Sequence, residues 1–143
     1  MSTHEAVLLL GSNLGDRKKN LEEAVRLLKE EQITFVARTD ILQTDPVEFA
    51  SSNYFCNFAA IIRMKFSPMQ LLKVVNATEQ KLGRSKDSKE SGGYMDRVID
   101  IDIVSFNNLK FLSGELTIPH ERHLQREFSV DLLTKLKTTK HKL

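Results

Sequence analysis

Val98-Ile99-Asp100-Ile101-Asp102-Ile103-Val104-Ser105-Phe106 is the stretch that decides the fold of this chain. Its residues alternate with a period of two, which is the pattern of a strand with two unlike faces. Ile99, Ile101 and Ile103 fall on one face, and Asp100 and Asp102 fall on the other. The isoleucine face calls for apolar cover, and the amphipathic helices for it lie upstream.

Working back along the chain, Arg84 to Met95 is a polar loop with three basic residues among its first six and then Gly92-Gly93, a candidate mobile segment. Before it, Ser67-Pro68-Met69-Gln70 opens a helix with a cap residue, a proline at the first helical position and a glutamine that closes a capping box. Leu71, Val75, Thr78 and Leu82 give that helix a buried face, and Gly83 supplies its left-handed stop. Phe55 to Met64 and Ile33 to Leu42 read as strands, separated by a loop that contains Thr44, Asp45 and Pro46. A first helix, capped by Asn13 or Asp16, is expected from about Asp16 to Glu30, with Leu21, Ala24, Val25 and Leu28 inward. Ala6 to Leu10 is the first strand, ending in a turn at Gly11-Ser12-Asn13.

Beyond Phe106, a short run at Leu109 to Leu112 is expected to pair back as a hairpin around Asn107-Asn108. Glu121 to Gln125 suits one helical turn, and Val130 to Leu136 a last short helix. The order strand, helix, strand, strand, helix, strand predicts an α+β class. Its expected form is a ferredoxin-like βαββαβ antiparallel sheet with helices on one face and a short C-terminal helical appendage. The other face is then left for a site.

The 143 residues fit one domain, 1–143, with 137–143 as a frayed basic tail. At 41% hydrophobic and 28% charged the chain is neither disordered nor fibrous. No apolar run reaches the roughly 20 residues that a membrane span needs. The net charge of +2 belongs to the tail, where Lys135, Lys137, Lys140 and Lys142 crowd together, so it does not mark a nucleic-acid binder. The single cysteine, Cys56, cannot form an intramolecular disulfide, and with no secretory leader pattern the expected location is cytoplasmic. Cys56 lies in an apolar run and reads as a small core residue.

Asp100 and Asp102 point the same way along their strand, so their charges repel unless a cation lies between them. Mg²⁺ takes one or two carboxylates together with phosphate oxygens and water, which makes a nucleoside triphosphate the natural third party. Arg97, Arg84, His120 and Arg126 flank the same sheet, and arginine and histidine both suit phosphate. The plain alternative is a solvated strand among surface bases. Gly11-Ser12-Asn13-Leu14-Gly15-Asp16 lacks the ending of a P-loop and reads as a structural turn at the edge of the site. Asn57 is an amide in an apolar strand, either bonded within the core or facing a ligand. Asn76 and Glu79 share one helical face, which alone suggests only a helix surface.

Taken together these segments resemble the 6-hydroxymethyl-7,8-dihydropterin pyrophosphokinases (2-amino-4-hydroxy-6-hydroxymethyldihydropteridine diphosphokinases) of folate biosynthesis. Four blocks carry the resemblance: Gly11-Ser12-Asn13-Leu14-Gly15-Asp16; Glu79-x-x-Leu82-Gly83-Arg84; Arg97-x-x-Asp100-x-Asp102; and Leu116-Thr117-Ile118-Pro119-His120 followed by Arg126 and Phe128. The resemblance implies a ferredoxin-like enzyme that moves diphosphate from MgATP to the pterin hydroxymethyl group and releases AMP. It implies that Asp100 and Asp102 hold two Mg²⁺ ions that bridge the triphosphate and orient the pterin hydroxyl, so that Asp100 also serves pterin binding, and that Arg97, His120 and Arg126 bind phosphate, with Arg84 or Lys86 as the loop cation.

It further implies that Asn57 bonds the pterin, with Phe55 and Phe128 stacking on its ring and Thr44 and Val47 lining the pocket by backbone contacts, while Asn76, Glu79, Ile103 and Thr117 match ATP-contacting positions. Expected partners are ATP and a small pterin, with no nucleic acid and no membrane, for a monomer. Tyr94-Met95-Asp96-Arg97 departs from the Trp-Gly/Ala-Pro-Arg usual in the family, and the chain has no tryptophan. The rival reading that this departure leaves is a non-catalytic ferredoxin-like module for a nucleotide or pterin.

Overall fold

Nine consecutive residues of the first strand, β1 (His4–Ser12), form the centre of the sheet. The structure is a computed structural model and describes residues 3–44, 54–83, 98–107, 110–112, 114–120 and 127–142. After β1 come α1 (Arg17–Glu30), β2 (Thr34–Arg38), β3 (Leu42–Thr44), β4 (Phe55–Met64), α2 (Pro68–Lys81), β5 (Asp100–Phe106), β6 (Phe111–Leu112), β7 (Thr117–Ile118) and α3 (Glu127–Lys142). The main sheet runs β2-β4-β1-β5 with β3 also paired to β4, and every pairing in it is antiparallel. The result is an α+β molecule in which β5 is an edge strand.

The local signals act largely as the sequence analysis expects. Asp16 caps α1, accepting the Lys19 N–H at 3.2 Å, and Leu21, Ala24, Val25 and Leu28 are buried. Ser67 and Gln70 form a reciprocal capping box on α2. Gly83 takes φ +105 just after the helix, a left-handed conformation that favours glycine. The helices α1 and α2 pack on the face formed by Ala6, Leu8, Leu10, Phe58, Ala60, Ile62, Ile101 and Ile103.

Four expectations need correction. The strand β1 does not end at Leu10 but carries through Gly11 and Ser12, because both pair with β4. The run from Ile33 to Leu42 is two strands, and Thr44 ends the second of them instead of lying in a loop. The hairpin after Phe106 does not fold back on β5: Phe111 and Leu112 pair with Ile118 and Thr117 in a separate two-stranded ribbon. Last, the second face of the sheet is not free along its length. The helix α3, which begins earlier than Val130 and runs on to Lys142, sets Leu132 and Leu136 against Leu9, Ala37, Ala59, Ile61 and Val104. Apolar residues on that face need cover as much as those beneath α1 and α2 do.

The alternation along β5 breaks at Val104. The β1–β5 register shifts between Val7 and Leu8, so Val104 is a bulge residue that joins Leu9 and Ala59 in the α3-side core. Its carbonyl accepts the His120 N–H at 2.9 Å, which ties the chain after β7 to the edge of the sheet. Cys56 is buried, as expected. Among the described residues no helix is long and apolar enough to cross a membrane.

Candidate functional site

Asp100 and Asp102 stand on the α3 side of the sheet, the face that also carries Leu9 and Ala59, but beyond the part that α3 covers most tightly. Both are partly exposed. Two residues of extended chain separate their Cα atoms by about 6.7 Å. Among the described residues no cluster of three or more His, Cys, Asp and Glu side chains is placed to hold a metal ion. Two carboxylates on one face of a strand suit Mg²⁺, which completes its shell with phosphate oxygens and water.

The register shows what faces the acids. Gly11 pairs with Asp100 on one side and with Asn57 on the other, so Asp100, Gly11 and Asn57 form a row across three adjacent strands. Leu42 extends the row beyond Asn57, and Thr44 pairs with Phe55 two residues along. By the two-residue period, Asp100, Asp102, Asn57, Phe55 and Thr44 share one face. Asn57 is only 8% exposed. Its Nδ2 and the Thr44 Oγ1 are buried and have no hydrogen-bond partner among the described residues. An unmet buried polar group costs about 1–3 kcal/mol, which a ligand with complementary groups recovers. Of the two readings open for Asn57, a satisfied core amide and a ligand-facing one, the geometry favours the second.

Glu79 corrects the reading of α2 as a plain helix surface at that position. It is 2% exposed, and its Oε2 accepts the Ile101 N–H at 2.9 Å. The backbone N–H between the two aspartates is therefore held from outside the ladder. Ile103 has the same parity as Ile101, so its backbone polar groups turn to the same edge. Its side chain is buried under the helices. Asn76 is partly buried on α2, and Thr117 and His120 are partly buried near the Val104 end of β5.

The Gly11–Asp16 segment closes on itself. Asn20 Nδ2 donates to the Leu14 carbonyl at 2.9 Å and to Ser12 Oγ at 3.3 Å, while Arg17 donates to the Gly15 and Tyr54 carbonyls and stacks over the Tyr54 ring. These contacts fix the loop beside the start of β4. Arg84, Lys86, Arg97, Arg126, Val47 and the side chain of Phe128 lie outside the described residues. So do the 84–97 loop and the 121–126 turn.

What the sequence analysis missed is Gly11 as part of the site and Glu79 as a buried anchor. A glycine inside a strand was the available signal for the first, since it often marks a place where another group approaches closely.

Comparison with known proteins points to one family. The family model described as 7,8-dihydro-6-hydroxymethylpterin-pyrophosphokinase matches residues 7–138. A 2-amino-4-hydroxy-6-hydroxymethyldihydropteridine pyrophosphokinase of Bacillus subtilis is 34% identical over 124 residues, 86% of this chain and 72% of that protein. One from Porphyromonas gingivalis is 37% identical over 122 residues, 85% of this chain and 82% of that protein. A folate synthesis bifunctional protein of Arabidopsis thaliana is 36% identical over 133 residues, 90% of this chain. The chain spans only 27% of that larger protein, and 24% of a second, mitochondrial one from the same plant.

Proposed function

The chain belongs to the 7,8-dihydro-6-hydroxymethylpterin-pyrophosphokinase family, and from that membership we propose that it transfers diphosphate from MgATP to the hydroxymethyl group of 6-hydroxymethyl-7,8-dihydropterin. The single observation that carries the reading beyond family membership is the row Asp100–Gly11–Asn57, which sets on one face a carboxylate and an amide whose buried Nδ2 has no hydrogen-bond partner among the described residues.

In the proposed reaction the hydroxymethyl oxygen forms a bond to the β-phosphorus of ATP. The bond from that phosphorus to the α,β-bridging oxygen breaks, AMP leaves with the oxygen, and the hydroxyl proton passes to water. Transfer of this kind demands positioning and charge neutralisation more than covalent help from the protein. Asp100 and Asp102 are the residues that would hold magnesium, as two ions, and the metal supplies charge neutralisation along the triphosphate. Asn57 and Thr44 bond the edge of the pterin, and Phe55 contributes ring contact from the same face. The open edge of β5 receives the nucleotide: Ile103 offers backbone groups, with Asn76, Glu79, Thr117 and His120 around it.

The reading also assigns phosphate binding to Arg97 and Arg126, the assisting loop cation to Arg84 or Lys86, and pterin contacts to Val47 and Phe128. The antiparallel order β2-β4-β1-β5, with α1 and α2 on one face, supports a ferredoxin-like description of the core. We read residues 1–143 as one such domain, acting as a monomer.

The test is direct. Purified protein mixed with ATP, Mg²⁺ and the pterin is expected to form AMP and the pterin diphosphate in equal amounts. ATP binding without AMP formation would instead support a non-catalytic nucleotide-binding module.

A further inference from the structure

Gly11 takes no positive φ, so its backbone imposes no demand for glycine. What it needs is space. A Cβ built on Gly11 would collide with Asn57 Oδ1 and come within 3.4 Å of Asn57 Cγ. The Asn57 carboxamide therefore leans across the strand boundary into the place where a side chain would stand. It leans along the row toward Asp100 and away from Leu42, which pairs with Asn57 on the opposite side.

Two strand spacings put the Cα atoms of Asp100 and Asn57 about 10 Å apart. With any other residue at position 11 the row would be an unbroken wall of side chains. With glycine it has a notch at its centre, and the amide occupies that notch with Nδ2 buried and unpartnered among the described residues.

We propose that Gly11 is a specificity-determining residue of the pterin site: by lacking a Cβ it admits the Asn57 carboxamide to the middle of the sheet and sets the direction in which that amide meets a flat ring with an amide-like edge. The inference rests on the pyrophosphokinase reading above. Gly11 acts through Asn57 and is a positioning residue. Nucleotide binding, at the edge of β5, does not depend on it.

Gly11→Ala is the direct test. The atom in the way is the end of a side chain, so the amide can move aside while the strand keeps its conformation. Pterin and MgATP binding are measured separately by calorimetry. The expected result is a dissociation constant for the pterin raised tenfold or more, with that for MgATP changed less than twofold. In an Asn57→Ala background, Gly11→Ala is expected to cause no further loss, because the group it displaces is gone.

Unchanged pterin affinity in folded Gly11→Ala overturns the proposal. An equal loss in the Asn57→Ala background also overturns it, since the new methyl would then be striking the ligand itself. If Gly11→Ala does not fold, the wild-type protein still decides the matter. Nuclear Overhauser contacts between the Gly11 α protons and the Asn57 side-chain amide protons are expected without ligand, and their absence sinks the idea. Wild-type protein that neither binds the pterin nor forms AMP would overturn the pyrophosphokinase reading and this inference with it, whereas an active wild type with an indifferent Gly11→Ala overturns this inference alone.

Discussion

The carboxylate of Glu79, buried in the last turn of α2, accepts the backbone N–H of Ile101 at 2.9 Å, and Ile101 is the residue between Asp100 and Asp102. The strand β5 lies at the edge of the sheet, so among the described residues this N–H has no neighbouring strand to bond. Glu79 takes the place of that missing strand. It also holds in place the segment that carries the two acids.

Glu79→Ala is therefore expected to leave the Ile101 N–H unmet and to lower unfolding free energy by about 2–3 kcal/mol. Glu79→Gln keeps an oxygen acceptor and is expected to recover most of that loss. Urea denaturation followed by circular dichroism reads the difference, and equal stability of the two variants would contradict it.

Asp100→Ala and Asp102→Ala are each expected to reduce turnover by about a hundredfold or more, since metal-assisted charge stabilisation is worth several kcal/mol and each 1.36 kcal/mol is a factor of ten. Their circular dichroism spectra are expected to match the wild type, because both side chains are partly exposed and outside the core. Binding of MnATP, followed by the paramagnetic signal of the ion, is expected to weaken in parallel. Turnover near wild type in both variants would remove the metal-binding role.

Asn57→Ala is expected to raise KM for the pterin by about ten- to a hundredfold, the value of one or two lost hydrogen bonds to a buried group. KM for ATP is expected to stay within twofold. Ligand-free stability is expected to change by less than about 1 kcal/mol, because Nδ2 has no partner among the described residues to lose. Steady-state kinetics with each substrate varied in turn, together with a thermal melt, separates these effects.

Leu132→Ala removes a side chain that is 0% exposed and seated on the α3 side of the sheet, and a loss of about 2–5 kcal/mol is expected. Val130→Ala, two residues earlier and 43% exposed, is expected to cost less than about 0.5 kcal/mol. Denaturation midpoints of the two variants that agree would show that α3 does not cover the sheet in solution.

Much of this molecule was legible along the chain because the relevant physics is local. The cap at Ser67, the buried stripe Leu21-Ala24-Val25-Leu28 and the stop at Gly83 each depend on a few neighbouring residues and appear where the spacing places them, and of the two caps open for the first helix, Asn13 and Asp16, the structure takes Asp16. The two-residue period of β5 likewise put Asp100 and Asp102 on one face before any partner strand was known.

What the amino-acid order determined by itself was the identity of most elements, the paired acids, and, through four short blocks, the family. Only the tertiary structure decided which residues meet across the sheet. The row Asp100–Gly11–Asn57 depends on the register of two separate pairings, and the bulge at Val104 resets the faces of β5 in a way that alternation does not show. In the same way Glu79 became a buried anchor only once the edge of β5 lay beside α2, and Leu132 a core residue only once α3 found an apolar face in need of cover. The physical reason is the same in each case. Periodicity and capping act within a few residues, whereas register, edge closure and burial are set by groups far apart in the chain competing to satisfy one another's hydrogen bonds and apolar surface.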